Sequence, residues 1–339
     1  MREMIMRRLI NLIPALTVLF FVFLIFASCG GRIYTDETST QLSEPPDTVA
    51  VSIAPESSDM LVKNVLPETL SVTTIAVSDA DAELKEHASA DVIVLMYHHI
   101  AEEGNSSTTI TPELFEQHLQ TIQRAGYVTV SPAQMVDFVE RGIKLPEQAI
   151  CITFDDGYLS NYEYAYPLLC KYHMKATFFI IGANVGKRFY RDTQFSTIPH
   201  FDAEQTKELY ESGLISIASH TYDMHQWQPY HTGRARENIL RFPDESEEVY
   251  RQVLTEDYKK SCEQIFEITG DKNIAVAFPS GKHDVLSREI LKELGVKITF
   301  GVEEGKNTLI KNDPEALSVL KRYNMHQGIS TDDLLKILQ

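Results

Sequence analysis

The chain has 339 residues, 43% of them hydrophobic, and carries a net charge of -17 at pH 7. That length suits one large domain or two ordinary ones. The acidity argues against a nucleic-acid partner, because phosphate binding needs a basic footprint and no basic patch occurs beyond the N-terminus.

In chain order, Arg2, Arg7 and Arg8 precede an apolar run over residues 9–27, broken only by Asn11, Pro14 and Thr17, which ends in Ala27-Ser28-Cys29. A positive start, an apolar stretch and small residues are the parts of an export signal. The ending resembles the bacterial lipoprotein signal, which implies that residues 1–28 are removed and Cys29 is lipidated as the first mature residue. An uncleaved anchor or a released protein are the alternatives. All three put the body of the chain outside the cytoplasm, and the lipidated form would sit on the outer face of the cell membrane. Residues 29–90 read as a flexible tether: from residue 30 on they hold eleven Asp or Glu against three Lys or Arg, and Tyr34 as the one aromatic. Such a stretch buries too little apolar surface to offset the entropy of ordering. Val62 to Val77 offers weak alternation for a short strand.

The character changes at Asp91, and residues 91–339 are expected to form the catalytic domain. Val92–Met96 is a short apolar run of the kind that forms a strand buried on both faces. Thr111-Pro112-Glu113 then opens a helix, with an N-cap, a first-turn proline and an acid, and Gly126 stops it. Tyr127–Val130 predicts a strand and Ser131-Pro132 a second helix. Strands follow at 149–154, 176–181, 214–218, 274–278 and 296–300, and helices at 162–172, 206–212, 248–269 and 287–294; segments 317–322 and 332–338 close the chain. Six or seven strand–helix units predict an α/β barrel rather than an open sheet. No GxGxxG follows a strand, so a dinucleotide fold has no support. Cys151, Cys170 and Cys262 lack CxxC or zinc-knuckle spacing, which excludes a disulfide scaffold; Cys151 reads as a small buried hydrophobe.

The polar groups of interest follow these strands, where barrel active sites gather. Thr153-Phe154-Asp155-Asp156-Gly157 sets two carboxylates at one strand end, and Ser219-His220-Thr221-Tyr222-Asp223-Met224-His225 offers two imidazoles after another. One Asp and two His can hold a divalent metal and leave room for water and substrate. Two free carboxylates would repel; a metal on one of Asp155 and Asp156, held with His220 and His225, relieves the repulsion and leaves the other as a base. The histidines are five apart, a spacing that suits a loop better than one helix face; Asp223 between them is the rival ligand. Cleaving an amide also needs an acid for the leaving amine, and His98 is the candidate, ahead of His99 and His326. His118 reads as lying on the polar side of its helix. Tyr97 and Trp227 are candidates to wall a substrate groove.

These motifs resemble the polysaccharide deacetylase family. Thr153–Gly157 is similar to its first motif, in which the first Asp is the base and the second binds metal. Ser219 to His225 resembles the second motif, with the longer spacing of the branch that deacetylates poly-β-1,6-N-acetylglucosamine. Tyr97-His98-His99-Ile100 matches that branch's early position for the acid. Pro279-Ser280-Gly281 resembles the third motif, except that Ala277 stands where its Arg would be and Ser280 where its Tyr would be. Asp155 must therefore be held by another group, while the Ser280 N–H could still serve the oxyanion. The resemblance implies a distorted (β/α)7 barrel, a divalent ion (Zn2+ first, with Co2+ or Ni2+ as substitutes) and removal of N-acetyl groups from a cell-surface glycan. Peptidoglycan is the alternative polymer, another amide hydrolase a third reading, and a non-catalytic glycan-binding module the alternative of a different class. The implied partners are the glycan and, through the anchor, the membrane; no nucleic acid or protein partner is indicated.

Overall fold

The computed structural model describes residues 88–104, 106–191 and 193–339. The expected signal peptide, Cys29, the tether up to residue 87 and the short strand at Val62 to Val77 lie outside the described residues.

The first strand, β1, runs from Ser89 to Tyr97, longer than its apolar core alone predicts. A short pair, β2 (His99–Ile100) and β3 (Thr109–Ile110), follows. Helix Pro112–Arg124 starts where the Thr111 hydroxyl accepts the Leu114 N–H. Strand β4 (Val128–Thr129) leads to helix Pro132–Arg141, opened by a reciprocal cap between Ser131 and Gln134. Next come β5 (Ala149–Phe154), a wide turn at Asn161–Ala165 merging into helix Tyr166–Tyr172, and β6 (Ala176–Ile180). Helix Ala203–Glu211, β7 (Ile215–Ser219) and the long helix Glu247–Thr269 continue the alternation. Strand β8 (Ala275–Ala277), helix Val285–Glu293 and β9 (Ile298–Phe300) complete the regular units. Strands β10 (Asn307–Ile310) and β11 (Tyr323–Asn324) and helix Thr331–Leu338 close the chain.

Seven strands lie in the order β10-β1-β5-β6-β7-β8-β9. All neighbours on that path are parallel except β10, which runs antiparallel to the start of β1. The sheet curls, flanked by helices, as the expected distorted (β/α)7 barrel. The segment from Leu320 to Asn324 bridges the edge strand β9 and the part of β1 that β10 leaves free: Leu320 pairs with Phe300 of β9, and Tyr323 and Asn324 pair with Leu95 and Met96 of β1.

Side-chain alternation along each strand divides the core. Ile93, Leu95, Tyr97, Ile150, Ile152 and Phe154 pack against helix residues Phe115, Leu119 and Ile122. Val92, Val94, Ala149 and Cys151 join Phe179, Ala218, Ala277 and Phe300 in a second cluster on the opposite face. Odd positions of β5 and even positions of β1 thus share one side, and the next residues in those two series are Asp155 and His98. Cys151, Cys170 and Cys262 are free thiols, and burial pushes the Cys151 thiol up to about 12.

This alternation corrects one sequence reading. Tyr97 does not wall a groove: it is fully buried, lies edge-on to Phe115 and stacks on Phe154. Its hydroxyl bonds to His118 Nδ1 at 3.1 Å. His118 is likewise buried rather than on a polar face, because its Nε2 also meets the Ile329 carbonyl at 3.0 Å. The pair satisfies each other inside the helix–sheet layer, as buried polar groups must.

Candidate active site

Strand β5 delivers both carboxylates. Asp155 continues the strand, its N–H donating to the Tyr97 carbonyl at 3.0 Å, which sets it beside the end of β1 and His98. Asp156 then turns with φ of +74°, and Gly157 follows at +79°. The left-handed step swings the second carboxylate out of strand alternation. Asp tolerates that conformation better than most residues. At Gly157 a side chain would also meet Ile180, with a Cβ only 3.2 Å from its Cγ2.

Asp156 meets the two expected imidazoles. Its Oδ1 lies 3.5 Å from His220 Nε2 and 3.7 Å from His225 Nε2, and the three ligand atoms lie within 4.8 Å of one another. That Oδ1 is buried and has no hydrogen-bond partner, an arrangement that costs free energy unless a cation completes it. Tetrahedral bonds of about 2.0–2.1 Å put ligand atoms ~3.3 Å apart, so the cluster fits a divalent ion with little adjustment. His220 is pre-set for it: its Nδ1 bonds to the Ala277 carbonyl at 2.8 Å, which fixes the tautomer that turns Nε2 inward. The buried Asp/His/His triad is consistent with a metal-dependent amide-hydrolase site. Asp223, the rival ligand, points its carboxylate to Arg191 instead.

The group that replaces the missing arginine is Arg322. It is completely buried, and its guanidinium grips Asp155 through two bonds of 2.7 Å, Nη1 to Oδ1 and Nη2 to Oδ2. Nη1 also donates to Thr153 Oγ1 at 3.2 Å, and Nε to the Gly301 carbonyl at 2.7 Å. Burial alone would raise the Asp155 carboxyl; the Arg322 charge overcomes it, with His220 and His98 assisting, and holds it well below the usual carboxylate range. Asp156 is similarly drawn down against its burial by His225, His220 and His98. The planar fork of Arg322 thus orients the Asp155 carboxylate and favours its ionised form.

His98 lies close enough to both aspartates to act on them electrostatically, and its Nδ1 is buried without a partner. His99 is turned aside, its Nδ1 on Ser160 Oγ at 2.8 Å. His326 follows β11 and accepts the Gly328 N–H at 3.1 Å. Ser280 is exposed at the end of β8, in a left-handed conformation with φ of +54°. Trp227 is 56% exposed, two residues beyond His225, beside a stacked Phe195–Tyr230 pair with ring centroids 4.5 Å apart.

Two supporting residues escaped the sequence reading. Arg322 shares the inward face of Leu320 by two-residue alternation, a visible signal for an inward-pointing cation. Asp257, on the long helix, lies seven residues after buried Tyr250 and three after buried Leu254. Its carboxylate accepts the Tyr222 N–H at 2.9 Å and the Asp223 N–H at 2.7 Å, and burial pushes it up to about 6.

Comparison with known proteins agrees with this geometry. Residues 142–299 match the polysaccharide deacetylase family model. YxkH of Bacillus subtilis, whose name alone ranks it with the polysaccharide deacetylases, is 40% identical over 145 residues, 43% of this chain and 47% of YxkH. A poly-β-1,6-N-acetyl-D-glucosamine N-deacetylase of Staphylococcus epidermidis is 27% identical over 196 residues, 58% of this chain and 62% of that one. Each alignment spans less than two-thirds of the relative's length. The solved structure of IcaB from Ammonifex degensii superposes with a TM-score of 0.60 at 27% identity, covering 74% of this chain and 97% of that one. Residues 142–299, which carry Asp155, Asp156, His220 and His225, are thus similar to the polysaccharide deacetylase family, and the fold is shared with a solved relative.

Proposed function

We propose that the protein is a metal-dependent N-deacetylase of an extracellular glycan built from β-linked N-acetylglucosamine, with poly-β-1,6-N-acetylglucosamine as its polymer. One observation carries the reading: a buried, unpartnered Asp156 oxygen between two imidazoles, beside a second aspartate that Arg322 keeps ionised. The polymer assignment rests on the early position of His98, the five-residue histidine spacing and the activity named for the staphylococcal relative.

Asp156, His220 and His225 would hold the ion, Zn2+ by the donor set, which when bound supplies Lewis-acid polarisation of the acetyl carbonyl and a water of lowered pKa. Asp155 accepts the proton of the attacking water, and Arg322 fixes the direction of its lone pairs. His98 donates a proton to the departing glucosamine nitrogen. The Ser280 N–H supports the oxygen that gains charge. Trp227 offers an exposed ring face to a sugar near His225. The products are acetate and a glucosamine unit.

Acetate release from purified, metal-loaded protein tests the assignment. Release from poly-β-1,6-N-acetylglucosamine and little from peptidoglycan is expected. The reverse preference would move the assignment to the cell wall, and no release from either polymer by a metal-loaded protein would leave a glycan-binding module.

The reading places the enzyme outside the cytoplasm, tethered through a lipid on Cys29. Cells expressing Cys29→Ala should accumulate a precursor without lipid label. Undiminished labelling would rule out Cys29 as the attachment point.

A further inference from the structure

The five-residue spacing of the histidines forces their ligand set onto a loop, and a loop must be held by something. All four N–H groups of residues 221–224 are engaged. Thr221 N–H donates to Ser219 Oγ at 3.0 Å, Tyr222 and Asp223 N–H to the two oxygens of Asp257, and Met224 N–H to Thr221 Oγ1 at 3.1 Å. The Thr221 and Tyr222 carbonyls accept the N–H groups of Gly182 and Ala183 at 3.1 and 2.8 Å. Thr221 takes φ of +71°, which a β-branched residue adopts only where its surroundings compel it.

Much of that compulsion comes from one stripe of the helix Glu247–Thr269. Asp257, Ser261 and Gln264 follow at intervals of four and three, so they share a face. Ser261 Oγ meets Ser219 Oγ at 2.8 Å, and Gln264 Nε2 donates to the Gly182 carbonyl at 3.1 Å. Asp257 is the member that touches the ligand loop directly, between His220 and His225.

We infer that Asp257 is the positioning residue of the metal centre: by receiving two successive N–H groups of the 220–225 loop on its two carboxylate oxygens, it sets the separation of the histidine ligands and so the affinity for the ion. The inference rests on the metal-site reading and extends it to a residue outside the family motifs. A carboxylate suits the role because it offers an acceptor to each N–H. An asparagine of the same shape would turn an NH2 group toward one of those N–H groups.

The test is Zn2+ affinity of the full chain by chelator competition, beside thermal unfolding of the metal-free forms. Asp257→Asn should bind Zn2+ about 10- to 100-fold more weakly, the usual effect of disturbing an outer partner of a metal ligand, and Asp257→Glu should recover part of the loss. Ser261→Ala, one bond further from the loop, should weaken binding by a smaller factor, on the order of threefold; it provides the reading if Asp257→Asn does not fold. Unchanged Zn2+ affinity in a folded Asp257→Asn, or in Ser261→Ala if that alone folds, would overturn the inference, even with a lowered melting temperature. A wild-type chain that binds no Zn2+ would instead remove the metal-site reading on which it rests.

Discussion

Replacing His98 with Ala should leave a folded protein that still holds its metal and deacetylates slower by a factor on the order of 10² to 10⁴, the usual worth of a positioned proton donor. The side chain extends the inward series of β1 and faces the aspartates, and its Nδ1 lacks a protein partner. It is therefore free to serve a substrate, whereas His99 is tied to Ser160. The limb of the kcat/KM profile that reports a protonated acid should change with it. His326→Ala should stay near wild type, because that ring already serves the turn at Gly328. His225→Ala offers the contrasting loss, of metal as well as rate. Acetate release between pH 5 and 9, with elemental analysis of each variant, reads all three. A crippled His326 variant beside a nearly normal His98 variant would reassign the acid.

Arg322→Met should be the most destabilising substitution near the site. It leaves the Asp155 carboxylate buried without its counter-charge, and breaking such a pair costs about 3–5 kcal/mol. The sign with pH follows. In the wild type the depressed Asp155 pKa adds stability that is present above the unfolded value of about 3.9 and is lost only as pH falls through the much lower folded value. In the variant, burial acts unopposed by Arg322 and raises the carboxyl, so the deficit should shrink as acid protonates it. The same shift should bring an acid limb into the activity profile at higher pH than the wild type shows. Combining Arg322→Met with Asp155→Asn should cost less than the sum of the single changes, since neither charge is then stranded. Urea unfolding across pH measures it. Additive losses would mean that the pair is not a unit.

The comparison of these two residues shows where a sequence is legible. His98, Asp155, Asp156, His220 and His225 sit within a few residues of strongly patterned strands, so local alternation and motif spacing locate them. The strand at 149–154 is read to its ends because six consecutive buried residues leave no other choice. Arg322 lies between Leu320 and the two-residue β11; two-residue spacing from Leu320 hints at its side, but the segment is placed by tertiary pairing with Phe300, Leu95 and Met96. Local propensity carries little information there. Tyr97 fails in the opposite way: its neighbour's chemistry suggested a groove, but adjacent residues of a strand face opposite layers. The antiparallel β10 had no apolar run to announce it, because Thr308 and Ile310 face solvent.

The segment at Leu320–Asn324, which bridges β9 and β1, separates metal binding from the rest of the site. The ligands Asp156, His220 and His225 all follow β5 and β7 in the middle of the sheet, inside the span of 142–299 that the family model matches. His98 precedes that span and Arg322 follows it, and both come to Asp155 with β11 lying along β1, more than two hundred residues earlier in the chain. Local opening starts most easily at short, sparsely paired segments, so variants that weaken this seam should lose acetate release before they lose metal. Metal content is therefore expected to be a poor proxy for activity in this fold.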